Sequence, residues 1–267
     1  MAELTGGVLL EIEDLAMRFG GIVAITGVSF QVRRGDIHAL IGPNGAGKST
    51  IFNCVNGVYR PSGGRITFQG RNIIGLKPHR IARLGLARTF QNLALFRHMT
   101  VLDNLLLGRN LYLRAGVIRG GLFYGRALRE ELENRKAVEE IIDFLEMENF
   151  RKHLVGALPF GVQRRVELGR ALAMKPELLL LDEPVSGMNV EETEDMARFI
   201  LDINEEFGTT ILLVEHDMGV VMDISDRVTV VNFGRKIAEG RPDQVASDQE
   251  VIKAYLGRSG AAAAAAG

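Results

Sequence analysis

The sequence predicts an α/β protein with a mostly parallel sheet core, an N-terminal antiparallel β subdomain and an inserted α-helical subdomain. Three observations carry this. Short, wholly apolar runs bounded by charge or glycine recur along the chain, as strands covered on both faces do. Stretches with helical spacing lie between them, the alternation of strand–helix–strand units. One long departure, between Thr100 and Phe150, is helical in its spacing and interrupts the alternation.

The first 35 residues alternate apolar and polar side chains and carry turn signals at Gly20-Gly21 and Arg34-Gly35, so they read as antiparallel strands. The stretch from Gly63-Gly64 to Gly70 reads the same way. The buried strands are Ile37 to Ile41, Leu178 to Leu181, Thr210 to Val214 and Val228 to Val231. In the helical block, Leu128, Leu132, Val138, Ile141, Ile142 and Leu145 fall close to one helix face. Within it, Leu111 to Arg126 breaks the period with glycines and basic residues and reads as a loop or short-helix excursion. These limits predict one domain over 8–256, with the helical subdomain inserted at about 92–165, and an alanine-rich tail over 257–267 without function of its own.

Composition narrows the class. With 267 residues, 46 % hydrophobic and 24 % charged, the chain has the proportions of a soluble protein with a real core. Its 32 Lys+Arg against 33 Asp+Glu argue against a generally basic nucleic-acid binder and against an acidic, disordered chain. Cys54 is the only cysteine, which excludes an intrachain disulfide and a cysteine metal cluster. The start has an acid at Glu3 and no basic run before an apolar stretch, so no signal peptide is expected. No apolar run approaches the roughly 18 residues that span a bilayer. A cytosolic protein is expected.

Gly42-Pro43-Asn44-Gly45-Ala46-Gly47-Lys48-Ser49 matches G-x-x-x-x-G-K-[ST] without a gap, after a buried strand and before a helix-competent run from Thr50. Glycines let backbone N–H groups turn inward around a phosphate, and the following helix adds its positive end. Residues Gly42 to Thr50 are therefore the predicted nucleotide-phosphate site, with Lys48 reaching the β- and γ-phosphates and the Ser49 hydroxyl on Mg²⁺. Leu178 to Leu181 ends in Asp182-Glu183, at the carboxyl end of a strand where ligands of open α/β sheets collect. Asp182 suits a Mg²⁺ partner, and Glu183 a general base for the attacking water. The other histidines, His38, His79, His98 and His153, lack metal-ligand spacing and are assigned no role.

With these motifs, the chain resembles the ATP-binding cassette family over about residues 8 to 256. Leu158-Pro159-Phe160-Gly161-Val162-Gln163-Arg164-Arg165 is similar to its signature, usually L-S-G-G-Q. The resemblance implies that Gln91, in RTFQNLALF, senses Mg²⁺ and touches the membrane subunit, and that His216, in VEHD, is the switch histidine. It implies that Phe19 stacks on adenine, that Ser186-Gly187-Met188-Asn189 is the loop after the acidic strand, and that Gly161 faces a phosphate bound by a second cassette. More narrowly, RTFQ followed by LFRHMTVLDNLLLG, the segment Leu111 to Arg126 and the ending AYLG resemble ATP-binding subunits of branched-chain amino acid importers, a group that also serves amides, urea and other hydrophobic compounds.

The resemblance implies an ATPase peripheral on the cytoplasmic face of the membrane. Its partners would be transmembrane permease subunits, a second cassette (a paralogue or an identical copy) and, indirectly, a substrate-binding protein. Pro159, Phe160 and Val162 depart from the family pattern, and Asn189 replaces the usual aspartate. Proline suits a first helical turn but offers no hydroxyl or N–H, and a lost hydrogen bond to a charged oxygen is worth roughly 1.5–3 kcal/mol. The departures therefore predict an asymmetric pair in which the Pro159 segment closes the partner's site less well. Two other readings compete. A lipopolysaccharide exporter ATPase is opposed by the Leu111–Arg126 segment and the irregular signature. A cassette acting on nucleic acid or the ribosome is opposed by the absence of a coiled-coil insertion, a tandem cassette and a basic stripe. No N-K-x-D guanine motif occurs, which argues against a GTPase.

Overall fold

The computed structural model of the chain describes residues 7–91, 93–109 and 126–255. Strands β1 (Val8–Phe19) and β2 (Ile22–Arg33) form an antiparallel hairpin that turns at Gly20-Gly21. Leu10, Ile12 and Leu15 face Val32, Phe30 and Val28 across it, all buried. Strand β4 (Gly63–Phe68) pairs with the other edge of β1, and β5 (Arg71–Asn72) with β4, so this sheet runs β2-β1-β4-β5. The alternation read from the first 35 residues is thus one half of a real sheet.

The second sheet runs β10-β9-β3-β8-β7-β6, with β3 (Ile37–Ile41), β6 (Leu86–Arg88), β7 (Leu178–Asp182), β8 (Thr210–Val214) and β9 (Arg227–Asn232) parallel. Strand β10 (Arg235–Gly240) closes its edge antiparallel to β9. The period-2 pleat sends alternate side chains of its strands to opposite faces. Leu40, Leu178, Leu180, Leu212 and Val214 pack against the antiparallel sheet and helix α1 (Lys48–Val55). Leu179, Leu181, Ile211 and Leu213 pack against the helical side. Both faces are covered, which is why these runs are uniformly apolar rather than alternating.

After α2 (Pro78–Ala82), the helical side contains α3 (Val101–Gly108), α4 (Arg126–Phe144), α5 (Phe160–Leu172) and α6 (Val190–Phe207). Thr100 caps α3 through Asp103 N, and Asn189 caps α6 in a reciprocal pair with Glu192. Helices α7 (Met218–Ile224) and α8 (Pro242–Ala246) follow. Val138, Ile141, Ile142 and Leu145 form the buried face predicted for α4 and the turn after it. Leu132 does not join them: it is 58 % exposed, because 3.6 residues per turn place it on the side of α4 away from Val138, Ile141 and Leu145, whereas Asn134 falls on their side and is buried. Pro159 is the N-cap of α5, and the helix starts at Phe160. Within Leu111 to Arg126, only Arg126, which opens α4, is described; the rest of that segment and the tail over 257–267 lie outside the described residues.

At the opposite end of β3 from the glycine loop, Asp36 is buried and neither of its carboxylate oxygens meets a hydrogen-bond donor. Burial, and then the charge of Asp226, push its carboxyl up to about 6. The folded chain therefore holds this proton more tightly than the unfolded chain, and Asp36 costs stability as pH rises through the window from 3.8 to about 6. Comparing Asp36→Asn with the natural chain by thermal unfolding, the difference in Tm should move in the variant's favour between about pH 4 and pH 7. A difference independent of pH would mean that this carboxyl titrates normally.

Candidate active site

The loop after β3 is shaped by positions that only glycine can fill. Gly42 has φ 149° and Gly47 φ 105°, both outside the range that side chains favour. A Cβ on Gly42 would strike the Val231 carbonyl oxygen, and one on Gly47 would strike Ile25 Cδ1 and come within 3.1 Å of the Ala24 carbonyl oxygen. The loop is thus wedged between the two sheets, and α1 starts directly from it at Lys48. The free N–H groups and positive end of that helix point to where an anion would sit. Lys48 is buried, its ammonium donating to the carbonyl oxygens of Gly42 at 2.7 Å and Pro43 at 3.2 Å.

A cleft of about 750 Å³ opens over this loop. Asn44, Gly45, Ala46, Gly47, Lys48, Ser49 and Thr50 form its floor, Ile22, Val23, Ala24 and Phe233 one wall, and Gln91, Glu183 and His216 the other. The structure therefore gathers residues separated by more than a hundred positions in sequence. Gly42 and Pro43 shape the loop from behind. Phe19 does not line the cleft: it ends β1 with its ring edge-on to Tyr59, the centroids 5.2 Å apart. The apolar side chains that do face the cleft there are Ile22, Val23 and Phe233, and sequence reading missed all three.

The acidic strand end divides the work between its two residues. Asp182 is buried, and its Oδ2 accepts from Arg88 Nη2 at 2.7 Å. The Arg88 guanidinium lies over the rings of Phe52 and Phe90, and it also donates to Asn53 Oδ1 at 2.7 Å. Asp182 Oδ1 is buried and meets no hydrogen-bond donor. A buried carboxylate oxygen left over in this way fits a cation, or water held by one, as its missing partner. Ser49, another residue expected on Mg²⁺, is exposed at the first turn of α1.

Glu183 follows with φ 52°, an unusual backbone for this residue, held by its N–H donating to the Val214 carbonyl oxygen at 2.8 Å. That turn directs the carboxylate into the cleft. Its Oε2 accepts from Gln91 Nε2 at 2.8 Å, and its Oε1 lies 2.7 Å from His216 Nε2. A carboxylate can only accept, so Nε2 is the protonated nitrogen of the ring. The carboxylate keeps lone pairs for a proton taken from water. Glu215 holds the histidine from behind. It is buried, its Oε2 accepting from His216 N at 2.7 Å and its Oε1 from Val185 N at 3.0 Å. Sequence reading missed Glu215 and Arg88, although an acid at the end of β8, directly before His216, was a signal for the first.

Gly161 lies apart from this cleft, in the first turn of α5. The Glu192 side chain packs against it, and the Phe160 ring lies against Gly187. The first turn of α5 and the loop after the acidic strand thus form a second face of the molecule, separate from the chain's own phosphate cradle.

Two family models match the chain: "ABC transporter" over residues 25–186, and "Branched-chain amino acid ATP-binding cassette transporter" over residues 235–261. The high-affinity branched-chain amino acid transport ATP-binding protein BraF of Pseudomonas aeruginosa is 44 % identical over 254 residues, covering 94 % of this chain and 98 % of that protein. Its counterpart LivG of Escherichia coli is 43 % identical over the same shares of the two chains. Among solved structures, a nucleotide-free ATP-binding cassette from an ABC transporter superposes with a TM-score of 0.81 at 32 % identity, covering 93 % of this chain and 99 % of that one. The ADP conformation of the cassette MJ1267 gives 0.82 at 32 % identity, over 94 % and 99 %. The chain belongs to the ABC transporter family, as an ATP-binding cassette. It is an ATPase of the kind coupled to transport.

Proposed function

We propose that this cassette powers import of branched-chain or other hydrophobic amino acids through a membrane transporter, from the cytoplasmic face. The observation that carries the ATPase half is the Glu183 carboxylate held between the Gln91 amide and His216 at the mouth of the glycine cradle. Similarity along nearly the whole chain to branched-chain amino acid transport ATP-binding proteins supports the substrate class. The cassette spans 8–256, with the helical subdomain about 92–165 inserted in it.

In this reading, the Gly42 to Thr50 loop binds the ATP phosphates, with Lys48 turning from its own loop carbonyls to the phosphate oxygens. Ser49, Asp182 and Gln91 hold Mg²⁺, which when bound neutralises charge on those oxygens. Glu183 takes the proton from the attacking water. His216, oriented by Glu215, keeps the Glu183 carboxylate aimed at the cleft. Phe19 would reach adenine only by a shift of its ring from Tyr59. Gly161 faces the nucleotide of a second cassette, a paralogue or an identical copy, and a substrate-binding protein delivers the solute outside.

The permease is proposed to dock beside the Gln91 segment. There Phe96 and Leu154 are 57 % and 50 % exposed, and Leu154 lines a groove with Arg97, His98, Gly156 and Ala157. Large apolar side chains exposed together mark an interaction surface. Leu154→Asp should abolish copurification with the permease while ATP binding persists; retained copurification would place the interface elsewhere. For the substrate, cells lacking this chain should lose uptake of labelled leucine, regained with the natural chain and not with Glu183→Gln. Undiminished leucine uptake in those cells would overturn the assignment.

A further inference from the structure

Among the described residues, the segment that carries Gln91 has no strand or helix of its own between β6 and α3. Its backbone groups must find partners elsewhere, and helix α5 supplies them. Arg164, Glu167 and Arg170 recur every three residues along α5 and therefore share one side of it. Arg164 Nη2 donates to the Gln91 carbonyl oxygen at 2.9 Å, and its Nη1 to the Phe90 carbonyl oxygen at 3.2 Å. Glu167 Oε1 accepts from Phe90 N at 3.2 Å and, more weakly, from Ala94 N at 3.5 Å. Arg170 Nη1 donates to the Ala94 carbonyl oxygen. Arg164 and Glu167 also pair with each other at 3.3 Å, their side chains 6 % and 2 % exposed.

A buried ion pair is a poor way to gain stability, because apolar residues of the same volume do as well or better. It is a good way to fix one geometry when each charged group also grips a backbone. We propose that Arg164 and Glu167 are positioning residues for Gln91. They bind the chain on both sides of the glutamine to α5, so that the place of its amide beside Glu183 is set by the place of that helix. Arg164 also lies over the Phe160 ring, 5.2 Å from its centroid, at the start of the same helix. The end of α5 near Gly161 and the Gln91 amide are thereby parts of one hydrogen-bonded body, and a shift of one carries the other. The assignment rests on the reading of Gln91 as a member of the ATPase site.

Arg164→Lys keeps the charge beside Glu167 but loses the fork that spans two carbonyls. Glu167→Gln keeps the shape and loses the charge. In the assembled transporter, either should lower kcat roughly tenfold with KM for ATP within about twofold, the scale on which groups that orient a site member act. Added to Gln91→Ala, Arg164→Lys should cause little further loss, because both changes remove the same contact. In the nucleotide-free chain by itself, exchange of the Phe90 and Ala94 amide protons should accelerate roughly tenfold in each variant, while the amides of β7 keep their protection. Losses in kcat that multiply with that of Gln91→Ala, or unchanged exchange at Phe90 and Ala94, would overturn the clamp. If Arg164→Lys does not fold, Glu167→Gln decides by the same readings. Full activity of Gln91→Ala by itself would instead refute the role of Gln91. A slowed Gln91→Ala beside an unaffected Glu167→Gln would refute the clamp alone.

Discussion

Glu183→Gln is expected to lower ATP turnover by about 10³-fold while ATP still binds, within the 10²–10⁴ that a positioned base contributes. Glutamine keeps the size of the side chain and can still meet Gln91 and His216, yet it cannot take a proton from water. Phosphate release and equilibrium binding of ATP separate the two effects. The same variant tests the pairing of cassettes by light scattering with and without Mg-ATP. A dimer only with ATP would show that the face built from Gly161, with Pro159 as its cap, still closes a site. A monomer that binds ATP would mean that the working partner is a different cassette, as the asymmetric pair requires. Turnover close to that of the natural chain would remove Glu183 from the base role.

Arg88→Leu is expected to cost about 3–5 kcal/mol of stability, because it leaves the Asp182 carboxylate buried without its cation. The pair is 2.7 Å apart, with side chains 6 % and 4 % exposed, so water cannot replace the missing partner at low cost. For a chain of this size the loss corresponds to roughly 10 °C in Tm. Arg88→Leu with Asp182→Leu should recover much of that stability, since two apolar side chains replace the ion pair, while ATP hydrolysis is lost. Thermal unfolding followed by circular dichroism distinguishes the cases. A single variant that melts within about 2 °C of the natural chain would show that Asp182 is relieved by other means.

The parts of the fold and site that could be read from the chain are those whose chemistry is local. The glycine loop is contiguous, and its three glycines are demanded by its own backbone path. Strands β3, β7 and β8 are covered on both faces, so each announces itself as an apolar run. Strand β10, RKIAEG, escaped notice because it is an edge strand of mixed polarity, and β6 because three residues are too few for a period. Leu132 misled for a different reason: at 3.6 residues per turn it falls on the side of α4 away from Val138, Ile141 and Leu145.

The roles of the polar residues divide in the same way. Gln91 and His216 were named from family resemblance, but neither carries a local signal of what it touches. The Arg88–Asp182 pair joins positions 94 apart, and Glu167 reaches Phe90 across 77. No pattern of neighbours encodes such partners. By itself, the sequence determined the α/β class, the phosphate loop and the acidic strand end, because backbone conformation and burial of a strand depend on adjacent residues. Only the tertiary structure decided that Glu183 meets Gln91 and His216, that Arg88 takes one oxygen of Asp182, that Phe19 turns to Tyr59 and that α5 holds the glutamine segment. Those contacts depend on how the sheets and helices pack, which fixes distances between residues remote in the chain.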